Sequence, residues 1–149
     1  MIYKGRIDRP FLMKIFLDTA DTKVIKEYFE TGLVDGVTTN PTLIMKSGRN
    51  PEDVYQEIKD IGVKDISMEV MGNFVEMYME GSRLSQKFGD VCTVKVPCTR
   101  EGLKVCKALS DEGVKVNVTL IFCAAQAVLA AKAGATYVSP FVGRLDDQS

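Results

Sequence analysis

The chain contains no histidine, which removes the commonest general base near neutral pH and the commonest metal ligand. Catalysis, if there is any, falls to Lys, Asp, Glu, Thr, Tyr or water. The four cysteines, Cys92, Cys98, Cys106 and Cys123, include no CxxC pair. That argues against a zinc site or a disulfide framework, and for reduced thiols in a core. No apolar run approaches the roughly 18 residues of a membrane span, and the charged opening MIYKGRIDRPFLMKIF lacks the apolar segment of a secretory signal. A cytoplasmic protein is therefore expected, with no membrane partner. Neither sign of charge is in excess, with 19 Lys and Arg against 20 Asp and Glu, so nucleic acid is not an expected partner either. No GxGxxG or other glycine-rich phosphate turn follows the first apolar segment, which counts against a doubly wound dinucleotide fold.

What is present is a single-domain length, 149 residues, with 46% hydrophobic and 26% charged residues, the balance of a soluble globular core. Short apolar, β-branched runs alternate with amphipathic stretches, the pattern of repeated βα units on a parallel sheet. Six strands are expected: KIFLD (14–18), GVTTN (36–40), DISMEV (65–70), CTVKVP (92–97), KVNVTLIF (115–122) and TYVSPF (136–141). Helices are expected over 22–30, over 51–61 behind Asn50 and Pro51, over 74–87 behind Asn73, over 100–112 behind Thr99, and over 124–133 before Gly134. A helix after every strand points to an α/β (β/α)₈ barrel. Such a barrel needs eight strands and about 250 residues, so the expectation is an incomplete one, with residues 1–12 as an N-terminal extension and 13–149 as a partial barrel lacking strands seven and eight. Met13 stands immediately before the first strand and is an alternative start.

In such barrels the chemistry sits at the C-terminal ends of the strands, and polar residues gather there. Strand one ends in Asp18, strand two in Thr38, Thr39 and Asn40; strand three holds Glu69, strand four Lys95, strand five Asn117 and Thr119, strand six Ser139, with Arg144 beyond. A lysine in a buried strand either pairs with an acid or loses its proton, and an amine free of its proton is a nucleophile. The bland alternative is an exposed edge or a structural bridge to Asp18 or Glu69. Asp18 serves equally as a helix N-cap or a proton-transfer group. Glu69, between Met68, Val70 and Met71, is either an acid/base group or an outward-facing side chain. Asn40 terminates its strand before Pro41 or offers its amide to a substrate hydroxyl. Arg144 is a well-placed cation for a phosphate or an ordinary surface arginine in a loop. Met77, Tyr78 and Met79 read as packing.

"FLDTAD", "GVTTNPTLI", "VKVPCTREGL", "VNVTLIF" and "SPFVGRLDD", in this order and spacing, resemble the transaldolase family of Schiff-base enzymes, and more closely its small subgroup, which includes fructose-6-phosphate aldolase. The resemblance runs from about Met13 to Asp147. It implies a (β/α)₈ barrel and a lysine that attacks the ketone of a sugar phosphate, with no metal or organic cofactor. By motif, Lys95 would form the imine, Asp18 would transfer the proton for C3–C4 cleavage, and Glu69 with Thr119 would handle a proton-relaying water. Thr38, Asn40, Asn117 and Ser139 would hold the dihydroxyacetone hydroxyls, and Arg144 the phosphate. The resemblance also implies a ring-like homo-oligomer and a place in the non-oxidative pentose phosphate pathway, with a dihydroxyacetone unit moving from sedoheptulose 7-phosphate to glyceraldehyde 3-phosphate. Within the subgroup the aldolase pattern has Gln and Tyr where this chain has Glu69 and Phe141. An apolar ring beside the imine excludes water and favours transfer over release. The alternatives are a dihydroxyacetone aldolase and an inactive fragment.

Overall fold

The computed structural model describes residues 14–142; the expected 1–12 extension, Met13 and Arg144 lie outside them. The described chain contains six strands: β1 (Phe16–Asp18), β2 (Gly36–Thr38), β3 (Ile66–Glu69), β4 (Cys92–Pro97), β5 (Val116–Ile121) and β6 (Tyr137–Pro140). They form one parallel sheet in the order β1-β2-β3-β4-β5-β6. Sequential parallel order follows from the alternation of strand and helix, because each helix carries the chain back to start the next strand beside the last. The helices are α1 (Thr22–Phe29), α2 (Pro41–Ser47), α3 (Pro51–Ile61), α4 (Phe74–Phe88), α5 (Arg100–Asp111) and α6 (Ala124–Lys132).

The sheet is curled into an incomplete (β/α)₈ barrel. Although β1 and β6 are its two edges, the rings of Phe16 and Tyr137 meet edge-on at 5.5 Å, so the inner faces of the edge strands touch. Alternation along each strand sorts the side chains. On β4, Cys92, Val94 and Val96 face the helices and are buried, as are Val116 and Val118 on β5 and Ile66 and Met68 on β3. They pack with Ile58, Met77, Leu84, Val105 and Leu109 in one apolar layer. The other parity, Thr93 and Lys95 on β4, Ser67 and Glu69 on β3, Asn117 and Thr119 on β5, faces the barrel interior. The apolar neighbours of Glu69 and Lys95 therefore belong to the opposite face of the sheet.

The expected helices are present, with Asn50, Asn73 and Thr99 capping α3, α4 and α5. Four expectations change. The strands other than β4 are shorter by one or two residues at most ends. Helix α2 was not expected: Asn40, extended at φ −148° and ψ 159°, caps it by accepting from the Leu43 N–H at 2.9 Å, with Pro41 in the first turn. The supposed packing group divides, for Met77 is fully buried while Met79 is 65% exposed. The thiols divide as well: all four are free, with Cys92 and Cys106 buried, Cys98 partly buried and Cys123 exposed.

Candidate active site

Strand β4 lies in the middle of the sheet, flanked by β3 and β5, so Lys95 is on no exposed edge. In register it stands opposite Glu69 on one side and Asn117 on the other. Its strand is held by close packing at the top: β4 ends at Pro97, and α5 starts so near that a Cβ on Gly102 would come within 2.0 Å of the Pro97 carbonyl oxygen. Only glycine fits there.

Lys95 is 6% exposed. Its Nζ lies 3.2 Å from Glu69 Oε2 and donates to the Thr39 carbonyl oxygen at 3.1 Å and to Thr38 Oγ1 at 3.4 Å. Of the two fates open to a buried lysine, pairing with an acid is the one this chain adopts. Thr38 Oγ1 in turn donates to Asp18 Oδ1 at 3.4 Å. Asp18 is not a helix cap; Asp21 caps α1 by accepting from the N–H groups of Lys23 and Val24. Four neighbouring strands thus bring Asp18, Thr38, Glu69 and Lys95 into one connected group.

A second polar run continues around the wall. Ser139 Oγ donates to Asn117 Oδ1 at 2.8 Å, and Asn117 Nδ2 donates to Ser67 Oγ at 3.2 Å. Thr119 is buried and in register with Pro97 and Ser139; among the described residues its side chain is not bonded to Glu69 or Lys95. Asn40 has its side-chain oxygen engaged by the cap of α2, which leaves its amide hydrogens for other partners.

Three features escaped sequence reasoning. Ser67 is fully buried, and the signal for it was its parity with Glu69, two residues on. The Thr39 carbonyl is a main-chain group that no side-chain pattern announces. The third is a bulge in β5, where Thr119 pairs with Ser139 and Ile121 with Pro140, leaving Leu120 between them at φ +60°. A bulge re-aims the residues beyond it, and beyond this one the Phe122 ring stacks on Phe141 at 5.6 Å and 17°. The two rings form an apolar wall at the rim.

Within this geometry a buried amine has an acid beside it, a second carboxylate reached through one hydroxyl, and a wall of amide and hydroxyl groups. That is a set suited to covalent attachment of a carbonyl compound followed by proton transfers. Among the described residues no group of His, Cys, Asp and Glu could hold a metal ion. No described helix is long and apolar enough to cross a membrane.

The profile of the family described as "Transaldolase/Fructose-6-phosphate aldolase" matches residues 15–149. A probable transaldolase of Nitrosopumilus maritimus is 57% identical over 136 residues, covering 91% of this chain and 61% of that protein. A probable transaldolase of Brucella anthropi is 55% identical over 135 residues, covering 91% and 62%. The chain thus spans about three fifths of the length of the curated relatives it matches. Among solved structures, the carboxyl transferase domain of Rhizobium etli pyruvate carboxylase superposes with a TM-score of 0.55 at 14% identity, covering 87% of this chain and 27% of that one. That is a likeness of fold alone.

Proposed function

The chain belongs to the transaldolase/fructose-6-phosphate aldolase family, and from that premise we propose that it carries the Schiff-base machinery of a transaldolase. The observation that carries the reading is the buried Lys95 amine, set against Glu69 at 3.2 Å and joined through Thr38 to Asp18. Lys95 gives a proton to Glu69, and the free amine adds to the ketone of a ketose phosphate. The carbinolamine loses water with a proton returned from Glu69, in a relay that Thr119 assists through a bound water, and an iminium forms. Asp18 then takes the proton of the C4 hydroxyl. The C3–C4 bond breaks, its electron pair passes into the iminium as an enamine, and the aldehyde leaves. An aldose phosphate enters, C3 adds to its aldehyde carbon, and Asp18 returns the proton to the new hydroxyl. Hydrolysis of the imine frees Lys95.

Asn40, Asn117 and Ser139 hold the hydroxyls of the three-carbon unit in this reading, and Arg144 holds the phosphate. Sedoheptulose 7-phosphate as donor and glyceraldehyde 3-phosphate as acceptor give erythrose 4-phosphate and fructose 6-phosphate, a step of the pentose phosphate pathway. The stacked Phe122 and Phe141 rings support transfer rather than release, since an apolar wall denies water to the enamine while it waits for an acceptor.

The test is borohydride trapping with fructose 6-phosphate, on the chain and on the chain extended by the remaining segment of the Nitrosopumilus maritimus relative. The expected result is a reduced dihydroxyacetone adduct on the Lys95 peptide, with little free dihydroxyacetone released. Absence of the adduct from both polypeptides would sink the proposal.

A further inference from the structure

Ser67 stands one inward-facing position below Glu69, in register with Thr93 on the strand that carries Lys95, and belongs to both walls of the site. Its main-chain carbonyl accepts from the Thr39 N–H at 3.2 Å and from Thr39 Oγ1 at 3.1 Å, and the Thr39 carbonyl receives the Lys95 amine. Its hydroxyl oxygen accepts from Asn117 Nδ2 at 3.2 Å, while Asn117 Oδ1 accepts from Ser139 Oγ at 2.8 Å. Ser67 is 0% exposed and Asn117 4% exposed.

A primary amide has two N–H donors and one carbonyl oxygen. With the Ser67 hydroxyl at one end and the Ser139 hydroxyl at the other, the Asn117 amide is held in its plane by a hydrogen bond on each side. One N–H of Asn117 is spent on Ser67. Among the described residues the other meets no partner, and its direction is set by the first.

We infer that Ser67 is a positioning residue: it fixes the Asn117 amide so that one N–H is held ready to donate to an oxygen of the bound ketose. This rests on the functional reading above, in which Asn117 meets the substrate. A contact made alike in the ground state and the transition state appears in KM rather than kcat. Ser67→Ala is therefore expected to raise the donor KM about tenfold, the scale of one lost buried hydrogen bond, and to leave kcat within about twofold. In an Asn117→Ala background the same change is expected to do nothing further.

Two measurements test it. The first needs no catalysis: hydrogen exchange at the Asn117 side-chain amide, read by nitrogen-15 NMR against the exposed cap residues Asn50 and Asn73. The amide is expected to be protected in the parent chain, and to lose that protection in Ser67→Ala. The second is the double-mutant cycle on donor KM. Should Ser67→Ala not fold, Ser67→Cys, which keeps the side-chain shape with a larger and weaker acceptor, replaces it in both. Protection unchanged by the substitution overturns the inference, as does an equal KM effect with and without Asn117. Lost protection in a chain that forms no adduct on Lys95 supports the placement of Asn117 and counts against the transaldolase reading alone.

Discussion

The barrel interior holds a lysine–carboxylate pair at each end, both with a nitrogen–oxygen distance of 3.2 Å: the buried Lys95 with Glu69 at the C-terminal end, and the partly exposed Lys115 with Asp65 at the N-terminal end. They differ in what else the carboxylate meets. Asp65 also accepts from Thr93 Oγ1 at 2.6 Å and from the Tyr137 hydroxyl at 2.8 Å, and Tyr137 is itself approached by Lys14 at 3.0 Å. That cluster reaches from Lys14, two residues before β1, to β6 and ties the two edges of the sheet together. Glu69, among the described residues, meets the Lys95 amine and no hydroxyl or main-chain N–H donor. A carboxylate shared by three donors from different strands acts as a brace; one that meets a single amine has lone pairs to spare for proton exchange. The same ion pair is thus structural at one end of the sheet and suited to chemistry at the other, in keeping with how barrel enzymes divide stability and function between their two faces.

The comparison can be broken at either end. The largest expected effect is from Lys95→Met, which abolishes borohydride-trapped adduct entirely by removing the nucleophile, while Lys115→Met leaves trapping within a few fold; mass spectrometry of the reduced peptides reads both. Next comes Asp65→Ala, expected to cost about 3 kcal/mol of stability because it leaves Lys115, Thr93 and Tyr137 without their shared acceptor. A shift of the urea midpoint measures it, and a loss below about 1 kcal/mol would show that the cluster is no brace. Glu69→Gln keeps the shape and removes the proton acceptor, so imine formation is expected to slow by about 10²-fold with the urea midpoint little changed. Rapid-quench trapping gives the rate.

The smallest effect sits in the alkaline range. Burial raises the Cys92 thiol from 9.0 to about 12 and the Tyr55 hydroxyl from 10.0 to about 12. The unfolded chain releases these protons first, so their contribution is intact below about pH 9 and is lost as pH climbs towards 12. Cys92 is influenced by Lys115 and Asp65, Tyr55 by Thr39 and Glu69, so the two groups report on opposite ends. The thiol, with the lower unfolded value, begins to weaken the fold first. Tyr55→Phe is expected to flatten the upper part of the fall in urea midpoint between pH 10 and 12, and an unaltered curve would mean that Tyr55 does not contribute.

Much of this was legible in the residues. The six strands and five of the six helices follow from apolar alternation and from capping residues at Asn50, Asn73 and Thr99, which act locally and leave a local mark. Lys95 and Glu69 were conspicuous because a charge in an apolar strand violates the pattern around it. Helix α2 was missed because Asn40 and Pro41 end a strand and begin a helix with the same two residues. Ser67 and the Thr39 carbonyl left no such violation, since a serine in a strand and a main-chain oxygen look ordinary until a lysine from another strand is laid across them.

The sequence by itself determined the element order and the parallel sheet, because each rests on periodicity and chain connectivity within some 30 residues, while the shared face of Lys95, Glu69 and Asn117 came from the strand register. Only the tertiary structure decided which acid Lys95 pairs with, that Asp18 reaches it through Thr38 and not as a cap, and that Asp65 meets three donors where Glu69 meets one. Those outcomes depend on register between strands and on the curl of the sheet, which bring groups 20 to 72 positions apart within hydrogen-bond distance.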